Sequence, residues 1–368
     1  MNANTSRQNA AEREEGAQLF DRTTRDLPSG RHQFHKERMM ARIYETQQAE
    51  HTGVGAETVA PAKDRRFRLP RPAITLPALA AAVAVAVVAG VVASGGEAGD
   101  GGVATGPALT TTVGVASAKG VPQLLDQIAL AAAEVEQPAV KPGQYIYIES
   151  KTAESFVRTV GDTSTLASHE LHTRQVWESP DGTKGWLIDP AVNDDPEGET
   201  LSLPDEQGNI PKANLNAPSY DYLAKLTMDP DALLAKIYKE TEGQGNTPDQ
   251  QAFTTIGDLL GESYPPAKLY PALFKAAAKI PGVVVVDDAV DAAGRHGVAV
   301  ARLDESSGVR EEWIFDRKTH VYLGERTVQV SGTSGEKGLI KPGTVIFTSA
   351  IMNRAIVDGI KQTPSQAG

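Results

Sequence analysis

The first residues to consider for chemistry form an SxxK pattern, because a serine and a lysine one helical turn apart can catalyse acyl transfer. Ser334 and Lys337 match it, and Lys341-Pro342-Gly343 is similar to the KTG element of penicillin-recognising enzymes. That chemistry needs the serine at the start of a helix. Here the segment reads SGTSGEKG, which predicts a glycine-rich loop, and the sequence contains no SDN element. We therefore predict no acyl-transfer site.

Histidine pairs are the next candidates, because imidazole is a common metal ligand. His32 and His35 could share one helix face, but zinc needs a third and usually a fourth ligand, and the chain has no cysteine. A solvated pair is the preferred interpretation. His169 and His172 lie on a predicted strand, where their odd spacing places them on opposite faces. We expect neither pair to bind metal.

An acidic segment imitates the first half of a calcium loop, with Asn193, Asp195 and Glu197 at alternate positions. The position that requires a bidentate glutamate is occupied by Pro204, so the loop pattern fails. A solvated acidic loop is predicted, with weak calcium binding as the alternative.

The tryptophans could line a ligand cleft, but aromatic residues make up only 5% of the chain, and we expect Trp177, Trp186 and Trp313 to fill the core. No catalytic constellation, metal site or glycine-rich phosphate cradle is present in the sequence. We therefore predict that the protein is not an enzyme and carries no cofactor. An unrecognised hydrolase is the competing interpretation.

A long apolar segment organises the rest of the chain. Residues 73–94 read AITLPALAAAVAVAVVAGVVAS and contain no charge. About 22 helical residues span the ~30 Å hydrocarbon core of a bilayer. A buried core helix is rarely so long, and a signal peptide begins nearer the start of a chain. The segment predicts one transmembrane helix.

Charges on the two flanks predict the orientation of this helix. Five basic residues lie between Lys63 and Arg71 against one Asp64, whereas Glu97 and Asp100 follow the span with no base before Lys119. The positive-inside rule then places residues 1–72 in the cytoplasm and the C-terminal part outside the plasma membrane. Residues 1–72 carry 13 Lys/Arg and 10 Asp/Glu, a net charge of +3. The remainder carries 23 Lys/Arg and 37 Asp/Glu, a net charge of −14, and the two sum to −11. An acidic ectodomain argues against a nucleic-acid partner.

The cytoplasmic segment 1–72 is predicted to contain short helices followed by a tether. The apolar stripe of its second helix is too thin for an independent core, but it suits burial on a partner. Its residues are Phe34, Met40, Ile43 and Tyr44. The plainer interpretation is a disordered tail.

Beyond the span, residues 95–116 are glycine-rich and predict a flexible linker, and residues 117–368 predict a folded domain. The domain begins with an amphipathic helix from Val121, stopped before Lys141-Pro142-Gly143. The segment QYIYIES predicts a half-buried strand, and residues 167–179 and 183–189 predict a hairpin around Pro180-Asp181-Gly182.

The middle third predicts helices, with Asp229 and Thr247 as caps and a third helix after Pro265-Pro266. Five strands follow, with turn signals at residues 293–296, 306–308 and 316–318. Strands, then helices, then strands predict an α+β fold with an antiparallel sheet.

The arrangement resembles an actinobacterial family of single-pass membrane proteins commonly encoded beside extracytoplasmic-function sigma factors. The motifs that carry the resemblance are DLPSGRH from Asp26, the Ala/Val span, QYIYIES, RQVWESPDG from Arg174 and EEWIFDRKTHVYLGE. The ectodomain is also similar to LolA-like and RseB-type domains, through the pattern from Trp313 to Leu323. This second resemblance implies a twisted half-barrel sheet with helices packed on its concave face.

Together these features predict an extracytoplasmic sensor or regulator that signals to a sigma factor or another cytoplasmic partner. The alternative is a membrane-tethered module that binds lipid or cell-envelope material. The expected partners are the bilayer, a sigma factor or co-regulator at the tail, and an apolar or envelope ligand outside.

Overall fold

The computed structural model describes residues 105–135, 137–160, 163–193, 195–201 and 212–364. Their strands are β1 (Thr105–Pro107), β2 (Ala116–Ser117), β3 (Tyr145–Val160), β4 (Thr163–His169), β5 (His172–Glu178), β6 (Gly185–Ile188), β7 (Glu199–Thr200), β8 (Val283–Val290), β9 (His296–Asp304), β10 (Val309–Phe315), β11 (Tyr322–Gln329) and β12 (Val345–Val357). Their α-helices are α1 (Val121–Ala133), α2 (Tyr220–Leu223), α3 (Pro230–Glu240), α4 (Pro248–Glu262) and α5 (Tyr270–Ala277).

The strands form one open sheet in the order β2-β8-β9-β10-β11-β12-β3-β5-β6-β7, with β4 beside β3 and β1 beside β4. Every pairing is antiparallel, which confirms the predicted α+β class. The three predicted turns connect β8 to β9, β9 to β10 and β10 to β11, so the second half of the chain pairs in sequence order.

Helices α2, α3 and α4 begin at residues whose side chains accept a free N–H group of the first turn. The Asp229 carboxylate accepts the Ala232 N–H at 2.8 Å before α3, and the Thr247 hydroxyl accepts the Gln250 N–H at 3.2 Å before α4. Both predicted caps are confirmed. The third predicted helix starts as a 3-10 turn at Ala267–Leu269, and α5 follows it.

The main apolar core lies between the helices and one face of strands β8 to β10, here called the helix face. Trp313 of β10 stacks on Phe253 of α4 with ring centroids 3.8 Å apart and planes at 7°. Helix α4 comes this close because Gly257 faces the indole: a Cβ there would lie 2.4 Å from Trp313 Nε1. The alanine-rich helix α5 packs mainly against α1 and α3.

The opposite face of the sheet carries buried charge. Glu312 is fully buried, its Oε1 accepts from Arg310 Nε and its Oε2 from Arg326 Nε, each at 2.7 Å. Arg310 and Arg326 are also buried. We call these three residues the Arg-Glu-Arg triad. Alternation along β10 places the triad opposite Trp313 and Phe315, on the other side of the same strand.

The predicted linker 95–116 ends earlier than its glycine content indicates. Residues 105–107 form β1 on β4, and Ala116–Ser117 form β2 on β8, so the segment between them crosses the face that carries the triad. We call Thr105–Ser117 the strap. The glycines are dense only up to Gly106. The later residues hydrogen-bond to the sheet through their backbone, as in the bond from the Val345 N–H to the Leu109 carbonyl at 2.9 Å.

A second small core covers β3 and β5 near the C-terminal end of the chain. Tyr147, Trp177 and Val357 are buried together, and the Trp177 indole donates to the Gln362 carbonyl at 2.6 Å. The sequence predicts a half-buried strand here, with one face exposed. Both Tyr147 and Ile148 are buried, on opposite faces of β3, so that prediction is wrong at these residues.

Within the described ranges, no helix is both long and apolar enough to cross a bilayer. The apolar segment 73–94 lies outside those ranges.

Candidate functional site

The predicted partner-binding residues Phe34, Met40, Ile43 and Tyr44 lie outside the described residues, as does the His32/His35 pair. The chemistry that the structure does place is on the sheet, where β3, β4, β5 and β6 meet.

His169 and His172 were expected on opposite faces and are instead neighbours, with ring centroids 6.5 Å apart. The cause is a β-bulge. Between the pairs Ser155–Ser168 and Thr152–His172, β3 contributes two residues and its partner three. The extra residue reverses the alternation, so both histidines project to the face that carries Thr152 and Glu154.

His172 is held by acceptors on both ring nitrogens. Its Nε2 lies 3.1 Å from Asp189 Oδ1, and its Nδ1 lies 2.8 Å from the Glu170 carbonyl oxygen. A neutral imidazole can donate to only one of these, whereas an imidazolium donates to both. Burial lowers the pKa of His172, but the hydrogen bond to Asp189, the bond to the Glu170 carbonyl and nearby negative charge together raise it above 6.5.

His169 is buried, and its ring nitrogens are placed differently from those of His172. Its Nδ1 lies 3.3 Å from Glu154 Oε1 without hydrogen-bond geometry, so among the described residues this nitrogen has no hydrogen-bond partner. At this distance the ring and the carboxylate form an ion pair only when the imidazole is charged. The ring also packs on Phe156 at 4.6 Å between centroids.

Arg174 and Asp189 complete the group, which we call the histidine cluster (Glu154, His169, His172, Arg174 and Asp189). Arg174 Nε lies 3.5 Å from Asp189 Oδ2. Glu154 and Arg174 keep 20% and 21% of their side chains exposed, whereas Asp189 keeps 4%. With one imidazole protonated, the formal charges of the cluster cancel.

What the cluster can do chemically is bind polar groups. It offers carboxylate acceptors and guanidinium and imidazolium donors within reach of solvent. Among the described residues, no group of three or more His, Asp or Glu is arranged to hold a metal ion. The SxxK motif does not join it: Ser334 donates to Gln329 Oε1 at 2.7 Å, and Lys337 has a backbone φ of 55° in a 3-10 turn. The acidic segment does reach it, because Asn193 Oδ1 accepts from the Asp189 N–H at 2.7 Å.

A second titratable group lies farther along β5. Burial, reinforced by the negative charge of Asp181, raises the pKa of Glu178 to about 7. Asp181 itself accepts from Ser179 and Thr183 in the turn between β5 and β6, and these bonds lower its pKa.

Sequence reasoning missed the histidine cluster because it assumed an unbroken strand through residues 167–179. The bulge depends on pairing to β3, whose Thr152 pairs with His172 although it lies 20 residues earlier in the chain, beyond the range of a local strand pattern. The nearest local signal is the residue pair Glu170-Leu171, where a charged and an apolar side chain interrupt the alternation.

No protein-family model matches the chain, and no curated protein matches it significantly.

Proposed function

We propose that the protein is a single-pass membrane protein, with a cytoplasmic N-terminal tail and an extracytoplasmic α+β domain that senses or contacts envelope material. The tail passes the signal to a sigma factor or another cytoplasmic partner. The uncharged run 73–94 and the basic residues before it support the anchor and its orientation. The protein is proposed not to be an enzyme.

The regulatory interpretation is supported mainly by one observation: the protein's own helices cover the helix face of the sheet. Leu259 and Leu260 of α4, with Leu273 and Phe274 of α5, are buried there in a core that reaches Trp313 of the sheet. An apolar ligand on this face would have to displace the protein's own helices. We propose that the sheet is a twisted half-barrel with these helices on its concave face. Such a domain is suited to recognition rather than to carrying lipid.

The histidine cluster favours a second candidate, a tethered module for a polar envelope ligand. Its partly exposed carboxylate and guanidinium groups suit hydroxyl-rich or amide-rich material rather than acyl chains. Native mass spectrometry of the full chain released from membranes tests the ligand class. Reproducible co-purified lipid would instead support an apolar carrier.

Protease treatment of intact protoplasts tests the topology. The C-terminal domain should be digested while an epitope on residues 1–72 stays protected. Protection of the C-terminal domain would contradict the proposed orientation and every role assigned from it.

A pull-down with a peptide of residues 1–70 tests the signalling partner. The peptide should retain a sigma factor of the source organism, and the pair Phe34→Ala with Ile43→Ala should abolish retention because it removes half of the apolar stripe. Gln33→Ala with Gln47→Ala is the matched control and should bind like the parent. If no sigma factor is retained, or the apolar pair changes nothing, the tail is only a tether.

A further inference from the structure

The strap (Thr105–Ser117) crosses the sheet from one side to the other. Its first residues pair with β4, Thr111 N–H donates to the Gly343 carbonyl at 2.8 Å, and Ala116–Ser117 pair with the edge of β8. Between these points the strap lies over the Arg-Glu-Arg triad. The Gly114 carbonyl accepts from Arg310 Nη1 at 3.0 Å, and the Thr111 hydroxyl accepts from Arg326 Nη1 at 3.3 Å.

The strap is held by hydrogen bonds and very little apolar burial. None of its thirteen residues is buried: eight are exposed and five intermediate. Val115 is 87% exposed and Val113 is 36% exposed. Segments with few buried contacts and solvent-exposed backbone hydrogen bonds open at a small fraction of the free energy of global unfolding.

The charges beneath the strap weaken its hold further. Glu312 has one negative charge for the two guanidinium groups, and Arg310 Nη2 is a buried atom without a hydrogen-bond partner among the described residues, although it lies 2.7 Å from Glu312 Oε1. Keeping such charges from water costs free energy. Undocking would rehydrate Arg310 and Arg326, which offsets part of the hydrogen bonding that is lost.

A steric fit keeps the docked position specific. A Cβ on Gly114 would lie 2.8 Å from Val286 Cγ1 and 3.4 Å from the Asp288 carbonyl oxygen, so only glycine lets the chain lie this close to β8. At Gly106 the nearest atom, Ser168 Oγ, is 3.9 Å away, and a methyl group is accommodated.

We propose that the strap is a releasable device, which undocks from the sheet as a unit while the sheet and helices stay folded. Thirteen extended residues reach about 43 Å. If the residues before Thr105 anchor the domain, which rests on the proposed function, release lets the domain move at most about 43 Å farther from the anchor. The docking itself does not depend on the anchor.

Hydrogen exchange of the full chain in detergent, followed by mass spectrometry, tests the device. Peptides covering residues 109–117 should exchange at least about 100-fold faster than those of β9 and β10, because opening the strap is a local event. Gly114→Val should remove the remaining protection of the strap and leave β9 and β10 unchanged. Gly106→Ala is the control and should exchange like the parent.

A disulfide provides the opposite perturbation, since the chain contains no cysteine. Gly106→Cys with Ser168→Cys joins neighbours of the β1–β4 pair, and oxidation should slow exchange of residues 105–111 by at least about 10-fold, reversibly on reduction. A strap in the parent that exchanges as slowly as β9 would overturn the proposal, as would loss of protection throughout the sheet in Gly114→Val. Either result would make the strap an integral part of the fold, whatever the membrane topology proves to be.

Discussion

Replacing Gly257 with alanine tests whether the approach of α4 to the sheet is the structural feature that sets the packing of the core. The new methyl group would lie 2.4 Å from Trp313 Nε1, 2.8 Å from Glu311 Oε1 and 3.1 Å from Trp313 Cε2. Ordinary contacts between such atoms are about 3.5 Å or longer, so the indole or the helix must move by about 1 Å. That movement disturbs both the stack on Phe253 and the bond from Trp313 Nε1 to Glu311 at 3.2 Å.

The expected magnitude is a balance of two effects. Overpacking of a core costs about 1–3 kcal/mol, and alanine in place of glycine inside a helix regains up to about 1 kcal/mol. Gly257→Ala should therefore lower the free energy of unfolding by about 1–2 kcal/mol. Gly261→Ala, one turn later on the same helix, is the matched control. Its methyl group meets Tyr322 Oη at 3.4 Å, an ordinary contact, so its stability should be unchanged or higher.

The assay is urea unfolding of a fragment of residues 105–368, followed by circular dichroism and tryptophan fluorescence. A shifted midpoint with an unchanged slope reports stability alone. Gly257→Ala that is as stable as the parent, or the same shift in both variants, would refute the packing argument.

Three further predictions concern ionisable side chains of the sheet. Folding raises the pKa of His172, so its contribution to stability is present below pH 6.5 and is lost as pH rises through the folded pKa. In His172→Gln the free energy of unfolding, measured with urea at several pH values, should change less with pH over that range. Folding raises the pKa of Glu178 from 4.5 to about 7, so the free energy of unfolding of the parent should fall as the pH rises between these values. Glu178→Gln should remove this dependence on pH. Glu312→Gln leaves Arg310 and Arg326 buried without their carboxylate and should lower the free energy of unfolding by about 3–5 kcal/mol. The control Glu305→Gln changes an exposed residue and should alter it little. Equal effects of the two variants in the same assay would contradict the burial of the triad.

Several elements were predictable because their signals are local. Asp229-Pro230 and Thr247-Pro248 place a side-chain acceptor beside a fixed backbone angle, and both helices begin there. The turns at residues 293–296, 306–308 and 316–318 join strands adjacent in sequence, so their pairing required no knowledge of remote residues. The α+β class follows from the order of these elements.

Other features depend on contacts between segments far apart in the chain. The strap resembles a linker in composition, and only its pairing with β4 and β8 makes it part of the sheet. The burial of Tyr147 requires Val357, more than 200 residues away. Gly257 becomes a packing residue only because Trp313 lies opposite it.

Most of the helices and strands and the α+β class could be predicted from the sequence, because caps, turns and periodicity act over a few residues. Which side chains meet could not be predicted, because it depends on how distant segments pair. His169 and His172 show the reason: alternation along an isolated strand separates them, whereas one bulge, fixed by pairing with β3, brings them to the same face beside Glu154 and Asp189.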